Sequence, residues 1–457
     1  MKKRVAVLNV VGLTKSVLRE MPRLQKWSEK TGVQSFKPAF PAVTCTAQSS
    51  YLTGRPVGDH GIVGNGWYDR EAAEVKFWKQ SNHLVKGDKV WEQPEFEGLK
   101  TAKMFWWYNM YSSADFAATP RPLYPADGRK FFDIHTQPMG MREKIKADLG
   151  EFPFPAFWGP RAGIESSQWI AESAKWIERK EQPHLNLVYL PHLDYGLQKF
   201  GPGAPEMEAE YKAIDEVTCD LIEFLEEHGV EVLVLSEYGI SKVSKPIHLN
   251  RIFREKGWIQ VKNELGLETL DCGSCQAFAV ADHQVAHVYL NNPEIAEEVR
   301  EVVRSVEGVE EIREASDLWG KGIGKERGGD FVAVSEEDAW FTYYFWTEDQ
   351  KAPDYARCID IHRKPGYDPV ELFLDPEIKI PFLKIAKFLL KKKLGFRTLM
   401  DVIPLDATLV KGSHGRDQVS QDEQPVVIGP GVSGVTSAES IFGWLQEAGE
   451  AQNGKKT

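Results

Sequence analysis

Three short apolar runs constrain the fold of this chain more than any other feature of its sequence. They cover residues 5–11, 188–190 and 230–235 and consist mostly of residues that favour β-strands. Continuous apolar runs are typical of central strands in a parallel sheet that helices cover on both faces. Residues 207–228, between the second and third runs, carry a helical apolar stripe, and Gly229 follows it. The pattern predicts a doubly wound, mostly parallel α/β fold.

The composition allows a large folded domain and excludes several classes of protein. The 457 residues are 42% hydrophobic and 27% charged, as in an ordinary globular protein rather than a disordered, collagen-like or coiled-coil chain. Asp and Glu (67) outnumber Lys and Arg (56), which gives a formal net charge of −11 at pH 7. Such a chain repels a phosphate backbone, so general nucleic-acid binding is not expected.

The cysteines and the amino-terminal segment bear on location. Five cysteines, at positions 45, 219, 272, 275 and 358, are too few and too scattered for a disulfide framework, and we expect a cytoplasmic protein. The basic start and the first apolar run superficially resemble a signal peptide. Asn9 interrupts that run and no cleavage pattern follows, so a buried strand is the better interpretation. No apolar stretch is long enough to span a bilayer.

The alternation of strands and helices is regular up to residue 245 and less regular from there to about 400. We predict a core formed by residues 1–245 and 400–445, a cap inserted at 246–399 and interwoven with core strands, and a polar tail at 446–457. Within the cap, residues 378–396 interleave lysines with large apolar residues, a pattern that a helix touching an anionic membrane surface would show. The favoured interpretation is a surface helix that packs one face on the cap.

Polar residues occur where the predicted strands end. Asp194 comes shortly after the second apolar run, and Glu237 comes directly after Ser236 at the end of the third. In open α/β sheets, ligands bind beyond the carboxyl ends of the strands. These two carboxylates therefore indicate the functional edge of the sheet.

A further candidate site lies in Phe-Pro-Ala-Val-Thr-Cys-Thr-Ala-Gln-Ser-Ser-Tyr-Leu-Thr-Gly-Arg-Pro, residues 40–56. Pro41 fixes an extended start, and residues 45–52 can turn helical before the closing Gly-Arg-Pro. Thr44 then lies at a helix N-terminus, where unpaired N–H groups and the helix dipole favour a phosphate. Taken alone, a Thr before a helix is usually a simple N-cap.

These motifs, in this order, resemble the nucleotide pyrophosphatase/phosphodiesterase branch of the alkaline phosphatase superfamily. The resemblance rests on residues 40–44 and 52–56, His-Gly-Ile-Val-Gly-Asn-Gly-Trp-Tyr-Asp at 60–69, Asp194 with Phe-Gly-Pro at 200–202, Leu-Ser-Glu-Tyr-Gly at 235–239 and Gly-Ser-His-Gly at 412–415. It implies an alkaline-phosphatase-like α/β core with a cap, two divalent metals, usually zinc, and a Thr nucleophile that forms a covalent phosphoryl intermediate. The nucleophile position corresponds to Thr44.

The resemblance is incomplete at the metal-ligand positions. The family's Asp at the end of the first strand corresponds to Val11, the His of its later Asp-His pair to Tyr238, and a His four residues after Asp194 to Gln198. The remaining candidate ligands are Asp194, Gln198, Glu237 and His414. Since valine offers no donor and neutral tyrosine or glutamine is a poor ligand for zinc, we expect one ion rather than two, either zinc or, if oxygen ligands dominate, Mg²⁺ or Mn²⁺.

Other histidines leave a relocated metal site open. His192 lies two residues before Asp194, so both side chains could point the same way on an extended segment, and His283 and His287 have the spacing of one helical face. Further candidates are His248 and His362. Each of these histidines, taken singly, is more simply explained by packing.

The phosphate pocket also differs from the family pattern. The family's Asn three residues after the nucleophile corresponds to Ala47, but Gln48 and Asn65 can both donate to an oxyanion. We assign Asn65, in the best-matched motif, to catalysis, and Gln48 and Arg363 to substrate binding. The aromatic clusters at 105–108 and 340–346 could hold a base or another apolar group of the substrate, or they could simply pack the core.

The sequence therefore predicts a metal-dependent hydrolase of a phosphodiester, pyrophosphate or related phosphoryl substrate. In this interpretation Thr44 attacks, and Asn65 with helix N–H groups stabilises the developing oxyanion. The substituted ligand positions leave an alternative open, a catalytically retired or redirected relative that binds a phosphorylated metabolite or a partner protein.

Overall fold

The computed structural model describes residues 3–127, 129–396 and 398–450. The strands, in chain order, are β1 (Arg4–Val10), β2 (Val33–Ser35), β3 (Gly66–Asp69), β4 (Glu74–Phe77), β5 (Thr101–Met104), β6 (Phe116–Pro120), β7 (Ile134–Gln137), β8 (Leu185–Leu190), β9 (Val230–Leu235), β10 (Ser241–Lys242), β11 (Lys245–Ile247), β12 (Val261–Glu264), β13 (Leu267–Leu270), β14 (Ala277–Asp282), β15 (Val285–Leu290), β16 (Val309–Glu314), β17 (Phe331–Ser335), β18 (Ala339–Phe341), β19 (Gly412–Ser413) and β20 (Val426–Ile428). The α-helices are α1 (Lys15–Leu18), α2 (Pro22–Thr31), α3 (Thr44–Thr53), α4 (Val57–His60), α5 (Met141–Leu149), α6 (Ile164–Glu181), α7 (His192–Phe200), α8 (Met207–Glu227), α9 (Leu249–Glu255), α10 (Ala296–Ser305), α11 (Ala315–Trp319), α12 (Gly324–Arg327), α13 (Pro381–Lys393) and α14 (Ser440–Glu450).

The largest sheet is mostly parallel. Within the described ranges it has eight strands, in the order β2-β20-β9-β1-β8-β5-β6-β7. The strands from β9 to β6 are parallel to one another, while β20, β2 and β7 pair antiparallel at the edges. Side chains along β1 alternate between the two faces, and Val5 to Val10 are all buried, so both faces of this strand are covered. The predicted doubly wound α/β fold is confirmed.

The helix predicted at 207–228 is α8, and it shows how the helical layer forms. Its apolar stripe, which includes Ile214 and Leu221, is buried, and the helix packs against α6, β1 and β9. Gly229 follows it with φ of +70°, a conformation that glycine adopts without strain. α6 in turn packs against β8.

The smaller sheets lie mainly in the segment predicted as the cap. The strands β14-β15-β17-β16 form an antiparallel sheet with its own apolar cluster. The aromatic side chains of the run at 340–346 are all buried, Phe341 in the cluster of this sheet and the others in a further cluster, so they serve core packing. β10 pairs with β19, which joins the chain on either side of this segment. The division of the chain at residues 245 and 400 stays a prediction.

Two expectations about histidines are wrong. His283 and His287 do not share a helical face, because His283 lies in the hairpin turn after β14 and His287 lies within β15. A spacing of four between two residues is too short a pattern to distinguish a helix from a hairpin. His192 is not on an extended segment either, since it is the first residue of α7.

The structure also bears on two other sequence predictions, the C-terminal tail and the membrane-spanning segments. The tail predicted to begin at residue 446 starts inside α14, and residues 451–457 lie outside the described residues. No helix in the described part of the chain is long and apolar enough to cross a membrane.

Candidate active site

The carboxyl ends of the neighbouring strands β9, β1 and β8 meet at one edge of the main sheet. Glu237 lies just beyond β9, Val11 follows β1, and Asp194 lies in the first turn of α7, after β8. The structure therefore brings both predicted carboxylates to this edge, where ligands of open α/β sheets bind.

Thr44 lies at the N-terminus of α3, as the sequence predicts, but the helix begins at Thr44 itself, one residue earlier than predicted, and Val43 precedes it in an extended conformation. Every residue of α3 is buried, so the core holds this helix N-terminus in place. The Thr44 hydroxyl lies 3.0 Å from the Tyr238 hydroxyl. Thr44 thus combines a fixed hydroxyl with a helix end that favours anions.

A chain of hydrogen bonds runs from Thr44 across the site. The Tyr238 hydroxyl, which contacts Thr44, donates to Asp194 Oδ1 over 3.4 Å. Gln198, one helical turn after Asp194, donates from Nε2 to Asp194 Oδ2 over 2.8 Å. Gln198 Oε1 accepts a hydrogen bond of 2.9 Å from the Tyr367 hydroxyl. Two tyrosines therefore connect the predicted nucleophile and the predicted ligands.

His414 is enclosed by rings. The Tyr238 ring stacks on it with centroids 3.5 Å apart, and the His283 ring lies 3.7 Å from it. Burial, with repulsion from His283 as a second cause, lowers the pKa of His414 well below its usual value. Nδ1 of the neutral ring donates to the Ala42 carbonyl over 2.8 Å, which fixes the tautomer and leaves Nε2 as an acceptor.

Two side-chain amides donate hydrogen bonds to the carboxyl group of Glu237. Asn9 Nδ2 and Gln48 Nε2 donate to Glu237 Oε1 over 2.6 and 2.7 Å, and Gln48 Oε1 accepts from the Trp107 backbone N–H over 2.8 Å. Burial raises the pKa of Glu237 to about 8, against the opposing effect of hydrogen bonds from Gln48, Asn9 and Thr44. Burial also raises the pKa of Asp194 to about 7. Gln48, a predicted substrate-binding residue, thus orients a carboxyl group.

Asn65 links α3 to the hairpin of β14 and β15. Its Oδ1 accepts from the Cys45 N–H over 3.1 Å, and its Nδ2 donates to Asp282 Oδ1 over 3.1 Å. Asp282 Oδ2 also accepts from the Asn65 backbone N–H over 2.7 Å, and His283 Nδ1 bonds to Asp282 Oδ1 over 2.8 Å. Because the Asn65 amide has two N–H bonds, one can still donate to a ligand.

A centre of two metal ions does not fit these residues. Val11 offers no donor, and Tyr238 is stacked on His414 and hydrogen-bonded through its hydroxyl. Gln198 turns its N–H toward Asp194, which is the wrong polarity for a cation. Across residues 3–127, 129–396 and 398–450, no three His, Cys, Asp or Glu side chains form a metal site.

A smaller donor set remains for one ion. His414 Nε2 lies 3.8 Å from Asp194 Oδ1, and this buried nitrogen accepts no hydrogen bond. A rotated Gln198 amide would present its oxygen as a third donor beside the Asp194 carboxylate. The expectation of one ion rather than two is compatible with this geometry.

The site opens into a cavity of about 1520 Å³. Thr44, Asn65, Asp194, Tyr238 and His283 line its inner end. Much of the remaining wall is aromatic and comprises Trp78, Trp107, Tyr124, Phe132, Phe154, Phe157, Trp158, Tyr189, Tyr195, Tyr367, Phe382, Phe388 and Phe396. A wall of this kind accommodates an apolar group much larger than a phosphate.

Arg363 also lines the cavity, although the structure gives it no contact with the residues around Thr44. Its guanidinium pairs with Asp354 at 2.9 Å and is about half exposed. The neighbouring Lys364 is buried and pairs with Asp368 and Glu371 at 2.8 and 2.6 Å, so its charge is already neutralised within the protein. His248 is likewise engaged, 2.7 Å from the Thr342 hydroxyl.

Sequence reasoning misses several residues of the site. Tyr367 and Asp282 come from the segment predicted as the cap and reach residues far away in the chain. Of the aromatic cluster at 105–108, only Trp107 lines the cavity, and Trp78 beside it is not among the predicted residues. No local pattern marks such residues, because their roles depend on contacts between distant segments.

Comparison with known proteins identifies the family. The family model for type I phosphodiesterase/nucleotide pyrophosphatase matches residues 5–368. An uncharacterised pyrophosphatase/phosphodiesterase of Schizosaccharomyces pombe is 26% identical over 217 residues, 45% of this chain and 38% of that protein. The human ectonucleotide pyrophosphatase/phosphodiesterase family member 1 is 22% identical over 231 residues, 48% of this chain and 21% of that protein. The chain thus spans well under half the length of these two relatives.

Solved structures share the fold over nearly the whole chain. The phosphonoacetate hydrolase of Sinorhizobium meliloti 1021, in complex with phosphonoformate, has a TM-score of 0.62 at 15% identity and covers 98% of this chain and 96% of its own. An inactive murine ectonucleotide pyrophosphatase/phosphodiesterase 5, in complex with AMP, has a TM-score of 0.59 at 14% identity, with 98% and 95% covered. The family match places this chain in the type I phosphodiesterase/nucleotide pyrophosphatase family, and the solved structures show that it shares their fold.

Proposed function

We propose that this protein hydrolyses a phosphodiester or pyrophosphate bond, with Thr44 as the nucleophile. The main support for this proposal is the position of the Thr44 hydroxyl. It lies at the N-terminus of a buried helix, at the inner end of a large cavity and at the ligand-binding edge of the sheet. The family membership supports hydrolysis of this bond class. The ligands in the two solved relatives, phosphonoformate and AMP, support a small phosphorylated substrate.

The proposed roles follow from the contacts of each residue. Attack by the Thr44 oxygen on phosphorus breaks the bond to the leaving oxygen, which takes up the proton that the Thr44 hydroxyl loses, and forms a covalent phosphoryl enzyme. Water then attacks the same phosphorus, breaks its bond to Thr44, returns a proton to the Thr44 oxygen and releases the second product. The backbone N–H groups at the N-terminus of α3 and the remaining side-chain N–H of Asn65 stabilise the negative charge that develops on the phosphoryl oxygens. Tyr238 orients the Thr44 hydroxyl, and Gln48 orients Glu237. Arg363 stays the candidate for contact with an anionic part of the substrate.

A single divalent ion is part of the proposal. Asp194 and His414, with Gln198 as a third donor, would hold it, and its identity is zinc or, with oxygen donors in the majority, Mg²⁺ or Mn²⁺. When bound, such an ion would supply positive charge that stabilises the negative charge on the phosphoryl oxygens. Elemental analysis of the untagged protein, compared with an Asp194→Ala/His414→Ala variant, tests this part.

The test of the main proposal is turnover by matched variants. Wild type, Thr44→Ala and Thr44→Ser are assayed on bis(p-nitrophenyl) phosphate and on the p-nitrophenyl ester of thymidine monophosphate, with circular dichroism as the control for folding. We expect Thr44→Ala to lose at least about a thousandfold in kcat and Thr44→Ser, which keeps a hydroxyl, to lose less. Equal turnover by wild type and Thr44→Ala would remove Thr44 from the mechanism.

The same assay addresses the retired-relative alternative that the substituted ligands suggest. A folded wild-type protein that binds AMP saturably and turns over none of these substrates would establish a binding protein instead. The cytoplasmic location also stays a proposal, supported by five free cysteines, and cell fractionation tests it.

A further inference from the structure

Helix α13 presents an apolar face that the rest of the described chain does not cover. No residue of α13 is buried. Leu383, Leu390 and Leu394 are separated by seven and four residues, so they lie on one face of the helix and its last turn, and they are 64%, 59% and 65% exposed. None of these leucines lines the cavity. Their exposure is unusual, since large apolar side chains at helical spacing normally mark a buried face.

The same segment carries a concentrated positive charge. Lys387 and Lys391 are exposed beside the leucine row, and further lysines occur at 379, 384, 392 and 393. Between Lys379 and Met400 the sequence contains no Asp or Glu, although the whole chain has a formal net charge of −11. An amphipathic helix with lysines beside exposed leucines is typical of segments that lie in the interface of an anionic bilayer.

The opposite face of α13 forms part of the cavity wall. Phe382, Ile385, Phe388 and Leu389 line the cavity that ends at Thr44. Tyr124 and Phe132, from the segment that precedes β7, line the same cavity and are 60% and 50% exposed. The unpartnered helix face therefore adjoins an apolar cavity that leads to the candidate nucleophile.

We propose that α13 docks onto a bilayer surface containing anionic lipids, and that the cavity accepts the apolar part of an amphiphilic phosphoester taken from that surface. Leu383, Leu390 and Leu394 enter the interface, while Lys387 and Lys391 contact anionic headgroups. The apolar group of the substrate lies among the aromatic side chains, and its phosphoryl group reaches Thr44. The choice of substrate rests on the proposed hydrolase activity, whereas the docking does not.

Charge favours a membrane over a second copy of the chain. A two-fold dimer through α13 would place the same surface of both copies face to face and bring the two lysine-rich faces together. An anionic bilayer complements both the lysines and the leucines of the same face. The experiment below therefore distinguishes membrane docking from self-association and from binding of an acidic protein.

The docking is tested by flotation of the full chain with vesicles of phosphatidylcholine alone and of phosphatidylcholine with phosphatidylserine. We expect binding to the anionic vesicles that weakens with added salt. Leu383→Ser/Leu390→Ser/Leu394→Ser should weaken it by at least about tenfold, because three apolar side chains no longer enter the interface. Lys387→Glu/Lys391→Glu should weaken it by about 25-fold or more.

Control variants carry the same types of substitution elsewhere on the surface. Leu265→Ser removes an exposed leucine from the turn between β12 and β13, and Lys26→Glu/Lys30→Glu reverses two exposed lysines of α2. Binding that is equal for control and α13 variants, or for neutral and anionic vesicles, would overturn the docking proposal. A dimer in light scattering that only the leucine variant dissolves would overturn it in favour of self-association.

Hydrolysis assays distinguish membrane docking from the proposed hydrolase activity. The α13 variants should hydrolyse bis(p-nitrophenyl) phosphate like wild type but lose at least about tenfold in rate on a long-chain alkyl p-nitrophenyl phosphodiester embedded in anionic vesicles. Equal rates of α13 variants and wild type on the embedded substrate would overturn delivery from the membrane. Absence of turnover in wild type with normal vesicle binding would instead contradict the proposed hydrolase while supporting the docking.

Discussion

The hydroxyl of Tyr238 offers the sharpest perturbation of the proposed site. It contacts Thr44 Oγ1 at 3.0 Å and donates to Asp194 Oδ1 at 3.4 Å, while its ring stacks on His414 with centroids 3.5 Å apart. Tyr238→Phe removes the hydroxyl and keeps the ring. A hydrogen bond to a charged group contributes about 1.5–3 kcal/mol, which corresponds to a loss of roughly 10- to 150-fold in kcat if the bond acts in the transition state.

The assay is the steady-state hydrolysis of bis(p-nitrophenyl) phosphate, with thermal unfolding as the control for folding. We expect kcat to fall with little change in KM, since the hydroxyl orients the nucleophile rather than the bulk of the substrate. Tyr367→Phe is the matched variant, because its hydroxyl bonds to Gln198 and reaches Thr44 only through Asp194 and Tyr238. A folded Tyr238→Phe protein with wild-type kcat, or a larger loss of kcat in Tyr367→Phe, would show that the Tyr238 hydroxyl does not orient Thr44 for attack.

Three further predictions concern the metal, the oxyanion and the core. Gln198→His should add a third strong ligand beside Asp194 and His414, so that elemental analysis finds one zinc per chain retained at a chelator concentration that strips the wild type, whereas equal loss of zinc from both proteins would argue against the assigned ligand set. Asn65→Ala should lower kcat by about 100-fold, as expected for an oxyanion donor, and a loss below about threefold in stopped assays would exclude that role. Burial lowers the pKa of Lys103 from 10.5 to about 7. Between pH 7 and 10.5 the Lys103 amine is therefore protonated in the unfolded chain but mostly neutral in the folded protein, and the free energy of unfolding of the wild type rises with pH across this range. At pH 7, Lys103→Met should therefore have a higher free energy of unfolding than wild type, by at most about 5 kcal/mol, and urea titrations should show this difference narrowing toward pH 10. A difference that does not depend on pH would contradict the lowered pKa of Lys103.

The sequence is most informative where the structure depends on a local pattern of residues. The apolar runs place β1, β8 and β9 in one sheet because continuous burial is visible in the residues themselves. The same logic places Asp194 and Glu237 at the strand ends, and the turn residues around Thr44 indicate the start of α3. These features need only a few neighbouring residues to specify them.

Long-range features could not be obtained in this way. Tyr367 reaches Gln198 across 169 positions of the chain, and Asn65 reaches Asp282 across 217. The spacing of His283 and His287 suggests a helix, but cross-strand pairing in the hairpin, which two residues cannot reveal, decides the local structure. The apolar character of α13 is visible in the sequence, whereas its position on the wall of the cavity depends on the folded structure.

The most direct test of the account is capture of the covalent intermediate. Wild-type protein is mixed with excess p-nitrophenyl ester of thymidine monophosphate, quenched in acid within milliseconds, digested and analysed by mass spectrometry. We expect the nucleotidyl group on the side chain at position 44, both in wild type and in the Thr44→Ser variant, and on no other residue of α3. Turnover by wild type with no modified Thr44 peptide at any time point, together with activity in Thr44→Ala, would contradict it.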